Sequence, residues 1–150
     1  MKRAYHFPVK AHQGILTTIC FMQVLLFAYT GCSKLIDQPN FYKQLTVFMP
    51  WPVSAAIISY TIPVAELIIA MGIIFQRTRL ASMYAFCFLL IIFTVYIIVL
   101  LLGNRDLPCS CGGVISTMNW QQHLVFNIAC IALSCTGIYL QHIVNRKINI

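Results

Sequence analysis

Four apolar stretches, each close to the length that crosses a bilayer, constrain this chain more than any other feature. They cover about 14–33, 54–75, 80–102 and 122–141. A helix needs about 20 residues to traverse about 30 Å of hydrocarbon. An isolated span must also satisfy its own backbone hydrogen bonds, which makes the helix the expected form. Composition agrees, with 60% hydrophobic and only 9% charged residues, where a soluble domain carries about 25% charged. The acidic residues are Asp37, Glu66 and Asp106 alone. The expected fold is an all-α integral membrane protein: one four-helix transmembrane bundle over residues 1–150, with nothing left for a separate soluble domain.

The net charge of +7 does not call for a nucleic-acid partner, because a membrane protein gathers Lys and Arg on its cytoplasmic side. With the N-terminus inside, that side receives Lys2, Arg3, Lys10, Arg77, Arg79, Arg146 and Lys147, and the other receives Lys34, Lys43 and Arg105. The bias predicts N-in and C-in, with the connection between the third and fourth spans facing outward. In a bacterial inner membrane that face is the periplasm, where disulfide chemistry is permitted. Between the first two spans, Phe41, Leu45 and Phe48 recur at helical spacing after Pro39. A short amphipathic helix on the membrane surface is expected there, with Trp51 and Trp120 near the same interface. Gln76–Arg79 is long enough only for a hairpin.

Chemistry is expected first in Leu107–Trp120, which joins the last two spans and holds Cys109 and Cys111 one residue apart. A thiol pair on an oxidising face can shuttle between dithiol and disulfide through a mixed disulfide with a partner. A Cys-x-Cys disulfide closes a very small ring and meets ideal geometry only with strain, which suits exchange better than stapling. Pro108 restricts the backbone just before the pair, and Gly112 and Gly113 free it just after. Two unpaired loop thiols, or half of a metal site, are the competing readings. A zinc site needs four ligands, and His123 and Cys32 are the nearest supplements. Cys20, Cys87, Cys130 and Cys135 lie in apolar runs and read as small core residues. Cys32 follows Thr30-Gly31 after a basic start and an apolar run, which also resembles a lipoprotein cleavage site, with Tyr29 a poor residue for one.

Glu66 is the second signal, since a carboxylate inside a span is a functional suspect by default. It could relay protons or meet a quinone head group. It could equally be structural, bonded across the bundle to Tyr96, Asn127, or a Ser or Thr. Pro63 precedes it by one turn and frees a backbone carbonyl. His123 and Asn127, four apart, share the outer end of the fourth span. His123 could accept a thiol proton or simply be an interfacial residue. His6, His12 and His142 read as solvated.

These residues together resemble the MauE branch of the DoxX-like membrane proteins, a redox-associated group frequent in Bacteroidota. The resemblance runs from Gly31 to about Gly137. Its carriers are Gly31-Cys32-Ser33-Lys34-Leu35, Ile62-Pro63-Val64-Ala65-Glu66-Leu67, Phe93-Thr94-Val95-Tyr96, Pro108-Cys109-Ser110-Cys111-Gly112-Gly113, and Trp120-Gln121-Gln122-His123-Leu124 with Phe126-Asn127. It implies a four-helix protein of the bacterial inner membrane. Within the family, MauE assists maturation of the disulfide-rich small subunit of methylamine dehydrogenase, alongside a thioredoxin-like periplasmic partner. The family's Cys-x-Cys maps onto Cys109 and Cys111, and its intramembrane Glu onto Glu66. Gly113 departs from the pattern, which often has an aromatic there, so methylamine dehydrogenase is not carried over as the client.

The expected function is thiol–disulfide exchange with a periplasmic thioredoxin-like or Cys-rich protein. Cys109 and Cys111 exchange, Glu66 and His123 manage protons, and Cys32 is the candidate resolving thiol. A quinone is the candidate cofactor, because no dinucleotide or haem motif is present. The alternatives are a non-catalytic assembly factor whose cysteine loop docks a partner, and a copper- or zinc-handling loop.

Overall fold

The computed structural model describes residues 9–47, 51–102 and 119–148, all of the regular structure among them helical. The helices are α1 (Val9–Ile36), α2 (Gln38–Thr46), α3 (Pro52–Ile74), α4 (Arg79–Leu102) and α5 (Trp120–Ile148). Four of them, all but α2, are long and apolar enough to cross a membrane. The protein is a multi-pass membrane protein, and the all-helical four-span fold is as its sequence predicts.

The outer two spans are longer than their apolar runs. α1 has 28 residues and α5 has 29. An apolar run marks only the part in hydrocarbon. Gln13, Lys34, Gln141 and Arg146 are good helix formers, and no proline falls within 9–36 or 120–148. At the other boundaries the stops are local. Trp51 is extended (φ −108°, ψ 104°) because Pro52 follows it, and Pro52 opens α3 at its first turn. α3 ends in a hairpin that satisfies its last carbonyls. Thr78 Oγ1 donates to Gly72 O at 2.7 Å and Arg79 Nε donates to Ile73 O at 3.1 Å.

The spans form a closed ring of neighbours: α1 packs on α3 and α5, and α4 packs on α3 and α5. Their shared core includes Leu16, Phe27, Ile73, Met83, Phe86 and Leu90. Phe27 and Phe86 meet with ring centroids 4.1 Å apart. The outer surface is as apolar as the core, with Phe21, Ile68, Phe88 and Val125 all exposed. A soluble protein rarely presents so continuous an apolar surface; lipid is the solvent that accepts it.

The short helix between the first two spans is present, as expected, but its apolar face is turned inward. Phe41 and Leu45 are buried on α2 and cluster with Ala55 of α3. Gln38 Nε2 donates to Ser59 Oγ of α3 at 2.9 Å. α2 is thus docked on α3 through the residues whose spacing suggested a lipid-facing stripe. Phe48 lies outside the described residues.

α1 and α3 approach closely at Gly31. A Cβ there would sit 3.1 Å from both Pro63 O and Leu67 Cγ. Gly31→Val will force these helices apart at a destabilisation of about 1–3 kcal/mol, the usual range for overpacking. Gly14→Val, where a Cβ would meet nothing within 4 Å, serves as the control. Thermal melts of the two variants in the same detergent check this. Equal midpoints would show that the Gly31 contact is not tight.

Candidate functional site

Glu66 sits at the middle of α3 and is fully buried, at 0% exposure. Its partner is not one of the polar residues expected from α4 or α5. It is Lys34 near the end of α1, whose ammonium donates to Glu66 Oε1 and forms a salt bridge with it. Lys34 is itself only 5% exposed. The ammonium also lies 4.3 Å from the ring centroid of Phe93 on α4 and 5.7 Å from that of Phe41 on α2. Aromatic faces attract a desolvated cation. Four elements therefore converge on one charge: α1 supplies it, α3 neutralises it, and α2 and α4 wall it in.

This corrects the sequence reading of Lys34, which treated it as a loop charge on the outer side. Two features were available to find the pair. A carboxylate inside a span needs a counter-charge or a hydrogen-bonded partner, and Lys34 closes the apolar run of the preceding span. The signal missing was depth, because α1 continues past its apolar run and carries Lys34 inward against α3. Gly31, one turn before Lys34, allows that approach.

The pair borders a cavity of about 350 Å³ lined by residues of all five helices. α5 contributes His123 and Asn127, which are 8% and 3% exposed. α4 contributes Phe93 and Tyr96. His123 and Asn127 therefore share a face, as their spacing predicts, and that face is the one toward Glu66. Two polar atoms here have no hydrogen-bond partner: Glu66 Oε2 and Asn127 Nδ2. The hydroxyl of Thr30, beside the pair, donates instead to Leu26 O at 2.9 Å.

The structure does not bring Cys32 to this cluster. It is exposed on α1, two positions from Lys34, which turns it about 200° around the helix. Cys109 and Cys111 lie outside the described residues. The ends of their connection are described: α4 finishes at Leu102 and α5 starts at Trp120, the same end of the bundle as Lys34 and His123. Among the described residues no three His, Cys, Asp or Glu side chains are grouped to hold a metal ion. At the opposite end, His142 is not merely solvated, since its Nε2 is 3.0 Å from the hydroxyl of Tyr84 on α4.

A family model described as methylamine utilisation protein MauE matches residues 12–140, nearly the whole helical bundle. The chain belongs to the MauE family. The match begins well before Gly31, the start of the sequence resemblance, and so takes in most of α1 and of α5 with all of α2, α3 and α4 between them. Neither a curated protein nor a solved structure gives a match. Within this MauE-family fold the buried Lys34–Glu66 pair, His123 and Asn127 form the most concentrated polar site among the described residues of the spans.

Proposed function

We propose that the protein is a thiol–disulfide redox protein of the bacterial inner membrane. It exchanges electrons with a periplasmic thioredoxin-like or Cys-rich client through Cys109 and Cys111. One observation carries this reading. The buried polar site extends from Glu66 within α3 to His123 in the first turn of α5, and the segment that leads into that turn holds both cysteines. Exchange requires a thiolate to attack a disulfide sulfur, so a group must take the thiol proton. His123, in the first turn of α5, is the proton acceptor in this reading, and the Lys34–Glu66 pair sets the field around it. Cys32, exposed near the same end of α1, is the thiol available to resolve a mixed disulfide.

The topology follows the charge bias. With Lys34 buried against Glu66, the outward tally falls to Lys43 and Arg105, against seven on the inner side. The N-in, C-in orientation gains support from that removal. The family description points to methylamine utilisation, and this chain's own client is defined here only by its chemistry.

The test is thiol trapping in intact cells with a membrane-impermeant alkylating reagent, before and after reduction. Labelling of Cys109 and Cys111 is expected only after reduction, as an oxidised outward-facing pair requires. Constant labelling without reduction would remove redox cycling and leave a docking role. Labelling only after permeabilisation would reverse the orientation.

A further inference from the structure

The cavity has properties that thiol exchange alone does not use. Its volume of about 350 Å³ falls within the range of small-molecule sites. Buried polar atoms are normally paired, yet Asn127 Nδ2 and Glu66 Oε2, on two residues that line the cavity, are both buried and unpartnered. One is a donor and the other an acceptor. Most of the remaining wall is hydrocarbon or aromatic ring, including Leu26, Phe27, Ile62, Leu89 and Phe126.

These features define an occupant. It must be neutral, because Glu66 already meets the charge of Lys34 and an ionic ligand would enter without a counter-charge. It must be mainly apolar and able to lie against aromatic rings. It must offer an acceptor to Asn127 and, in one of its states, a donor to Glu66 Oε2. A saturated lipid chain offers neither. A quinone offers the acceptor as a carbonyl and, once reduced, the donor as a hydroxyl. The bilayer around the bundle is the reservoir for such a molecule.

We infer that the cavity is a binding site for a lipid-soluble quinone, with a ring carbonyl accepting from Asn127 and the reduced ring donating to Glu66. This deepens the thiol–disulfide reading and rests on it only for the source of the electrons. The reaction then balances. The thiols of Cys109 and Cys111 lose two S–H bonds and gain one S–S bond. The two electrons and two protons released convert the two quinone carbonyls into the hydroxyls of the quinol. Lys34, which also lines the cavity, would favour negative charge on a quinone oxygen held there.

Titration of the full-length protein in quinone-free lipid nanodiscs with a short-chain ubiquinone and with menadione tests the site. Tryptophan fluorescence is the readout, since Trp51 and Trp120 are the two tryptophans and Trp120 lies one turn from His123. Saturable quenching is expected. Asn127→Leu, which removes the donor, should weaken it roughly tenfold, the scale of one hydrogen bond. Ile62→Phe, which fills the cavity, should weaken it comparably, with circular dichroism melts confirming that both variants fold. The Cys109→Ser/Cys111→Ser double variant should bind quinone normally and produce no quinol from a dithiol client. That separates failure of the cysteine reading from failure of the site. Quenching that only tracks partitioning into lipid would overturn the proposal. So would equal quenching in wild type, Asn127→Leu and Ile62→Phe, or a phospholipid retained in the cavity that quinone does not displace.

Discussion

Lys34→Met will destabilise the protein by about 3–5 kcal/mol, the cost of breaking a buried ion pair from one side. The cause is the carboxylate left behind. Glu66 lies in the middle of α3, is fully buried, and has no other hydrogen-bond partner on its second oxygen. It is held inside the bundle, whereas Lys34 stands two residues from the end of α1. Glu66→Leu will therefore cost less, because the long Lys34 side chain can swing toward the interface and keep its ammonium solvated. The double variant Lys34→Met/Glu66→Leu should recover most of the loss, since apolar groups of similar volume replace buried pairs at little or no cost. Denaturation of the four proteins in one detergent measures all three steps. A double variant as unstable as Lys34→Met would show that the pair is not the source of the loss. The double variant also separates structure from function: a stable bundle without thiol-dependent activity would place the pair in the chemistry.

Cys109→Ser and Cys111→Ser will each reduce disulfide exchange with a thioredoxin-like client to background, and they will fail differently. A dithiol–disulfide cycle needs one sulfur to attack and a second to resolve. The variant that keeps the attacking cysteine should accumulate a mixed disulfide with the client, visible as a reducible adduct on a non-reducing gel. The other should form none. The gel thereby assigns the two roles, which their spacing does not. Exchange persisting in the double serine variant would end the proposal that this pair carries the chemistry.

Neither outcome depends on the same information. The second rests on the sequence, because Cys109 and Cys111 lie outside the described residues. The first was invisible there. With Asp37, Glu66 and Asp106 the only acidic residues, Glu66 stands out in the sequence, but nothing there names Lys34 as its partner. Tyr96 and Asn127 do line the cavity with Glu66, so the face was right and the hydrogen bond was not. The short helix shows the same division. The spacing of Phe41 and Leu45 marked it correctly as amphipathic, but a one-dimensional pattern cannot say whether an apolar stripe meets lipid or protein. Packing on Ala55 and the Gln38–Ser59 hydrogen bond decided that.

The sequence by itself determined that this is a four-span helical membrane protein, roughly where its apolar spans lie, and that His123 and Asn127 share one helix face. Those follow from bilayer thickness and helical periodicity, which act on residues close together in the chain. The tertiary structure alone decided that Lys34 neutralises Glu66, that Phe93 and Phe41 wall in the charge, that a cavity lies beside them, and that Cys32 faces away. Each of these depends on how deeply and at what rotation α1 sits against α3 and α4. That placement is set by side-chain packing across the bundle, such as the close approach at Gly31, between residues far apart in sequence.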